Sequence, residues 1–329
     1  MPSSFDAVLI IAFGGPAGPS DVMPFLENVV RGRRVPRSRL LEVAEHYAIF
    51  NGVSPITECT RRQAAGLQDC LRRASLDLPV YVGMRNWHPF LADTLTEMAS
   101  HGVRRAIAFI AAPHRSYSSC AQYRENVRDA KAHLRRTGLP DIDVLYVSDW
   151  HAHPRYVAAC AERALAAIAT QPPLLAAGAQ LVFTAHSIPE SQAARYPYRA
   201  QFEETARLVS EAVAREDGVR RSYACVYQSR SGRPEDPWLG PDVSEYLADA
   251  ATHGLQAAVL CPIGFICDHI EVLFDLDVEA AQTCRDVGLS MTRAAAVNDH
   301  PRFLDMMADV VIQVSRRYER GVPLALLHI

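Results

Sequence analysis

Short apolar runs of strand length alternate along the chain with longer stretches of helical period. The first set is VLIIAF (8–13), VYVGM (80–84), AIAFIAA (106–112) and DVLYVSD (143–149). A second set follows: LVFTAH (181–186), ACVYQS (224–229), AVLCPIGF (258–265) and LSMTRAA (289–295). A strand with one face in water alternates apolar and polar residues, whereas these runs are apolar on both faces. They therefore predict buried parallel strands joined by crossover helices, and an α/β fold of two doubly wound, four-stranded units. The Ala-rich stretch 151–170 reads as the helical link between the units, and a last helix from about Pro301 is free to return to either. A chain of 329 residues exceeds what one core usually supports. The domains expected are 1–152 together with 301–329, and 153–300, the latter carrying His186 and Glu271.

Open α/β sheets bind ligands outside the carboxyl ends of their strands. The expected place for chemistry is thus the set of loops after the strands, in a cleft between the two units. His186 ends a strand in TAHSIP, with Pro189 closing the loop. A histidine there is either presented to a ligand or held as a capping or core residue. His151 and His153 read as a solvated helix start, and His46, His88 and His101 have no metal-type spacing among themselves.

The strongest local pattern is GFICDHIEVLFDLDVEA, 264–280. A helix starting near Asp268 lines Glu271, Asp275 and Glu279 along one face at i, i+4 and i+8. Three like charges in a row repel unless a cation or a proton compensates, and a path for a divalent metal is one such compensation. The alternative, a solvated acidic face, is weakened by the interleaved Val272, Leu273, Phe274 and Leu276.

GGPAG (14–18) follows the first strand but lacks the GxGxxG order, and Pro16 removes a backbone N–H that a phosphate would use, which disfavours a nucleotide. The next stretch, with Met23, Phe25, Leu26, Val29 and Val30, reads as a core-packed helix before it reads as a cover for a flat apolar ligand. Arg31, Arg33, Arg34, Ser54 and Tyr123 are candidates to meet ligand carboxylates.

Composition narrows the classes further. Apolar residues make up 49% and charged residues 22%, ordinary for a chain that buries a core, and the net charge of −3 carries no basic run of the kind a phosphate backbone requires. No nucleic-acid partner is expected. No apolar run reaches the roughly 18 residues of a membrane span, so no transmembrane segment is expected. Eight cysteines, at 59, 70, 120, 160, 225, 261, 267 and 284, form no CxxC pair, which fits reduced thiols in a cytoplasmic protein.

Taken in order, FGGP, VRGR, GVSPI, SYSSCAQY, TAHSIP, YQSRSG, PWLGPD and GFICDHIEVLFDLD span essentially the whole chain and resemble the ferrochelatase family. The resemblance runs to the actinobacterial and Gram-positive branch, whose members convert coproporphyrin III to coproheme in heme biosynthesis; it implies that substrate first, with protoporphyrin IX to protoheme as the alternative. It implies two Rossmann-like domains, each a four-stranded parallel sheet flanked by helices, with the porphyrin clamped in an interdomain cleft and ferrous iron as the second substrate.

By position, His186 matches the family's active-site histidine and Glu271 its partner carboxylate, together the implied proton acceptor and metal-contacting pair. Asp268 and His269 match the positions beside that glutamate, and Asp275 and Glu279 the acidic row leading away, as an implied proton or metal relay. Phe13, Arg31, Ser54 and Tyr123 match the porphyrin-binding region. Phe13 stands where many Gram-positive members carry tyrosine, so a phenolate role fails there; Val30, His46, Arg85 and Asn86 also depart from residues some members carry.

Some actinobacterial members hold a [2Fe–2S] cluster through one internal cysteine and three near the C-terminus. Cys160 matches the internal position, but the tail YERGVPLALLHI has no cysteine, and a cluster needs about four ligands. No cluster and no prosthetic group are expected, and the chain is expected to be a monomer whose partners, besides porphyrin and iron, are neighbouring heme-pathway enzymes. Rival readings are a cobalt or nickel chelatase for a sirohydrochlorin-type ring and a non-catalytic tetrapyrrole-binding protein.

Overall fold

The computed structural model describes residues 4–32, 35–232 and 235–322, so Arg33 and Arg34 lie outside the described residues. The chain divides into two compact units, one built from residues up to Ala111, Ser118–Ser148 and Leu304 onward, the other from Ala112–Tyr117 and Asp149–Phe303.

In the first unit the strands are β1 (Ala7–Ala12), β2 (Val80–Met84), β3 (Arg105–Ile110) and β4 (Asp143–Tyr146), all parallel, in the order β2-β1-β3-β4. The second unit repeats the plan with β5 (Gln180–His186), β6 (Tyr223–Gln228), β7 (Ala257–Cys261) and β8 (Ser290–Arg293), in the order β6-β5-β7-β8. The central strands are apolar on both faces because helices cover both sides: Val8, Leu9, Ile10 and Ile11 are fully buried in β1, as are Val182 and Phe183 in β5. Helices Pro154–Ile168 and Tyr198–Asp217 pack against each other and against β7 and β6 of the second sheet. Among the described residues, no helix is long and apolar enough to cross a membrane.

In each sheet the chain runs from a central strand to the neighbour on one side, then returns to the neighbour on the other. This makes a switch point at the carboxyl end of β1 and of β5. Phe13 directly follows β1, and His186 is the last residue of β5. Several strands stop short of the apolar runs that predict them. In β7 the ladder ends at Cys261, because Pro262 has no N–H to give. The run stays apolar because Ile263, Ile266 and Cys267 of the following loop are themselves buried.

The acidic segment differs from the single α-helix expected from near Asp268. Ile270–Val272 makes a short α-helical start, Leu273–Ala280 winds as a π-helix, and Ala281–Val287 returns to α. Val272, Leu276, Ala280 and Cys284 are buried together against Val182, Val226 and Leu260 of the second sheet. Those four residues recur strictly every four. An α-helix turns in about 3.6 residues, so a strict period of four drifts around it, whereas the wider π-turn, closing i to i+5, holds the stripe closer to one line.

The helix Pro19–Val29 buries Val22, Phe25 and Leu26, the core-packed reading, while Met23, Val29 and Val30 are half-buried. His153 caps Pro154–Ile168 by accepting from the Arg155 N–H. His151 is not a solvated helix start: its side chain is 13% exposed and its Nε2 lies 2.9 Å from Glu204 Oε2.

Candidate active site

His186 is placed by its strand. It pairs in register with Gln228 of β6, the Ser187 N–H donates to the Gln228 carbonyl at 2.8 Å, and the buried Tyr198 hydroxyl donates to the His186 carbonyl at 2.8 Å. Its Nδ1 meets the Ser187 carbonyl at 2.5 Å. A carbonyl only accepts, so Nδ1 carries the proton in this contact, and Nε2 of a neutral ring presents its lone pair outward. That Nε2 faces Glu271 Oε2 at 3.8 Å. The distance is too long for a direct hydrogen bond, and two acceptors facing each other repel. A proton on Nε2, or a cation held between imidazole and carboxylate, turns this repulsion into attraction. Both side chains are reachable from outside, at 33% and 44% exposure.

The approach of residue 271 to residue 186 depends on the loop after β7. The Gly264 N–H donates to the Thr184 carbonyl at 2.9 Å, and a Cβ at Gly264 would lie 2.5 Å from Ala185 Cα. Only glycine lets the loop cross the end of β5 so closely. Phe265 then meets the His269 ring edge-to-face at 4.9 Å, and burial, the largest influence there, lowers the His269 pKa, so that ring favours its neutral form.

Along the π-helix the carboxylates fall into different environments. Asp275 is half-buried and accepts from the Ser229 hydroxyl and from Gln228 Nε2 at 3.2 Å; the same Nε2 donates to the Glu271 carbonyl at 3.3 Å. Ser229 adopts φ +58°, an uncommon left-handed conformation for a non-glycine residue, and its Oγ contacts Asp275. Burial pushes the Asp275 pKa up to about 7; the Ser229 hydrogen bond opposes this, and the charges of Glu271 and Glu279 add to it. Glu279 is exposed. Asp268 faces elsewhere. Its Oδ1 accepts from Arg293 at 2.8 Å and from the Ala296 N–H, its Oδ2 accepts from Asn298 Nδ2 at 2.7 Å, and its own N–H donates to Asn298 Oδ1. Arg293 also reaches Asp277 Oδ1 at 2.6 Å.

Gln228, Ser229, Asp277, Arg293 and Asn298 were not singled out from the sequence. Gln228 and Ser229 lie within YQSRSG at the end of β6, and loops at strand carboxyl ends are where such residues are to be sought. Among the described residues no three His, Cys, Asp or Glu side chains gather as a metal site, so the pair at 186 and 271 offers two donors to a cation.

Phe13, Arg31, Ser54 and Tyr123 all belong to the first unit. Phe13 packs edge-to-face on Phe25 at 6.2 Å. Ser54 is buried against the FGGP turn, its N–H donating to the Pro16 carbonyl at 2.9 Å, and a Cβ on Gly15 would come within 2.6 Å of Ser54 Cβ. Arg31 is exposed. Tyr123 is buried, its phenol pKa pushed up to about 12 chiefly by desolvation, with the Arg85 guanidinium 5.8 Å from its ring centroid. Cys160 is buried and burial pushes its thiol up to about 12, so it favours the protonated form, which is not the form that ligates iron.

The family model described as Ferrochelatase matches residues 5–315. A coproporphyrin III ferrochelatase of Streptomyces griseus is 44% identical, covering 97% of this chain and 88% of its own length. A coproporphyrin III ferrochelatase of Mycolicibacterium smegmatis is 43% identical over 94% of this chain and 89% of its own. A ferrochelatase of Rhodopirellula baltica is 45% identical over 93% and 85%. Among solved structures, SirB from Bacillus subtilis with Fe3+ superposes with a TM-score of 0.56 at 10% identity, covering 96% of this chain and 98% of that one. CbiX, described as the terminal enzyme of siroheme biosynthesis in denitrifying bacteria, gives 0.52 at 16% identity, covering 93% and 98%. At such identities these two speak for the fold alone.

Proposed function

The chain belongs to the ferrochelatase family, and on that premise we propose that it inserts ferrous iron into coproporphyrin III to give coproheme, with His186 and Glu271 as the reacting pair. The relatives at 43–45% identity support metal insertion into a porphyrin, and those from Streptomyces and Mycolicibacterium are named for coproporphyrin III.

The observation that carries this reading is the approach of His186 Nε2 to Glu271 Oε2 at 3.8 Å, beyond the carboxyl end of β5. Metallation removes two pyrrole protons and needs a divalent cation stripped of water. Two facing acceptors suit both tasks: Nε2 takes a pyrrole proton as general base, and the same atom with Glu271 can receive the substrate iron in passing. Glu271 also stabilises the imidazolium once the proton has transferred. Asp275, with a pKa of about 7, can hold or release a proton near neutrality and passes it toward the exposed Glu279. His269, favouring its neutral form, and Asp268, fixed by Arg293 and Asn298, hold the polypeptide immediately before Ile270 and Glu271. In the first unit, Phe13 offers an apolar face to the ring, and Arg31, Ser54 and Tyr123 supply polar groups for propionates.

Anaerobic metallation followed by the Soret shift, with coproporphyrin III and protoporphyrin IX in parallel, tests the substrate. Turnover of coproporphyrin III should exceed that of protoporphyrin IX, and equal or reversed rates would remove the assignment. His186→Ala should abolish metallation while coproporphyrin III still binds by fluorescence quenching; near-normal turnover would refute the role of the imidazole.

A further inference from the structure

The helical segment that bears Glu271 and continues into the π-helix is held from two flanks, and each flank comes from an edge strand of the second sheet. In the order β6-β5-β7-β8, β6 ends in Gln228 and β8 ends in Arg293, with the His186 strand lying between them. Gln228 bonds the Glu271 carbonyl and Asp275. Arg293 bonds Asp268 at 2.8 Å and Asp277 at 2.6 Å, one residue before and two residues after the stretch that carries His269, Glu271 and Asp275. Its side chain is 15% exposed, against 18% for Asp268 and 38% for Asp277, so these ion pairs are shielded more than surface pairs.

We propose that Arg293 is a positioning residue for Glu271: its guanidinium fork, joining Asp268 to Asp277, fixes the segment between them at the reach from which Glu271 faces His186. Three features of the site carry this. A planar fork uses separate N–H groups, Nη1 and Nε, on the two carboxylates, which a single ammonium cannot reproduce at both distances. Asp268 is itself tied by Asn298 at Oδ2 and at its backbone N–H, and by the Ala296 N–H at Oδ1, so Arg293 pulls Asp277 toward a point that does not yield. Glu271 has no direct hydrogen bond to His186 at 3.8 Å, so its placement must come from the backbone that carries it. Arg293 also neutralises the two acids outside the Glu271, Asp275 and Glu279 row, so the row alone keeps the anionic character that a proton or a cation answers.

This rests on the chelatase reading above, and the test separates the two. Full-length Arg293→Met and Arg293→Lys proteins are compared with wild type, His186→Ala and Glu271→Gln in metallation of coproporphyrin III by Zn2+ and by Fe2+, with porphyrin affinity and thermal midpoint measured alongside. The expected result is a kcat lowered by about tenfold to 100-fold in Arg293→Met, with porphyrin KM and affinity within about twofold, because misplacement of a reacting group by about 1 Å costs rates of this order. Arg293→Lys, which keeps the charge and one contact, should recover only part of the rate while folding normally, and it carries the test if Arg293→Met does not fold. The inference is overturned if both variants fold and turn over like wild type, or if rate falls only in proportion to folded protein with KM rising equally. If His186→Ala and Glu271→Gln also turn over normally, the chelatase reading fails first; if they are inactive while the Arg293 variants are not, only the positioning role fails.

Discussion

Asp275 sits where its charge is opposed most. Burial raises its pKa to about 7 from the ordinary 3.8, against the Ser229 hydrogen bond and with the help of Glu271 and Glu279. The folded protein therefore keeps this proton across a range where the unfolded chain has lost it. Stability drawn from Asp275 is complete below about pH 4, declines as pH rises through the interval to about 7, and stays reduced above it. Asp275→Asn removes the titration, while its Oδ1 still accepts from Ser229 and Gln228. Thermal midpoints of variant and wild type should nearly coincide at pH 4 and separate in favour of the variant up to about pH 7; a gap independent of pH would contradict the shifted carboxyl. The same variant should slow metallation, since an amide passes no proton.

At the level of single elements, two local constraints bring residue 271 to residue 186. One is the four-residue period of Val272, Leu276, Ala280 and Cys284, which the wider turn of Leu273–Ala280 lays on the sheet as a continuous apolar stripe. With that stripe seated, Glu271, Asp275 and Glu279 follow the same period one residue earlier, so packing of the core side orients the acidic side. The other is Gly264, whose missing side chain admits the loop to the end of β5. Gly264→Ala sets a methyl against the Cα and Cβ of Ala185, atoms that cannot swing aside. It should cost about 1–3 kcal/mol in urea unfolding and lower metallation disproportionately, because the displaced loop leads directly to His269 and Glu271. An unchanged urea midpoint would show that the close approach is not needed.

In the molecule as a whole, each unit repeats one topology, a switch point at the carboxyl end of a central strand, and fills it differently. Doubly wound sheets often seat a nucleotide phosphate there on a glycine-rich turn. After β1 the turn is Phe13-Gly14-Gly15-Pro16; Pro16 has no N–H, and Ser54 packs on Gly15 where a phosphate oxygen would sit. After β5 the position is occupied by His186. ADP and NAD at millimolar concentration should leave the thermal midpoint unmoved, whereas coproporphyrin III should raise it by mass action. A nucleotide-induced rise would mean the turn is a phosphate site after all.

Eight strands, their parallel sense and the two four-stranded sheets were legible in the chain: the central strands β1, β3, β5 and β7 are buried on both faces and so are largely apolar, and the partly buried edge strands that alternate with them in sequence keep apolar residues at strand spacing. The place of His186 at a strand end and the acidic period through Glu271 were legible too, but the 3.8 Å approach of the two side chains, 85 positions apart, is set by the fold. The π-turn was not, although its strict four-residue apolar repeat was there to be read, because an α-helix with a broad apolar face accounts for the same letters. Nor were Gln228, Ser229, Arg293 and Asn298. Each is an ordinary polar residue in its own neighbourhood and acquires meaning from a partner 30 to 47 positions away, or from 25 positions away for Arg293 and Asp268. Hydrophobic patterning acts on near neighbours and is written locally, whereas a hydrogen bond between a side chain at a strand end and one on a helix or loop exists only after the fold has brought those elements together.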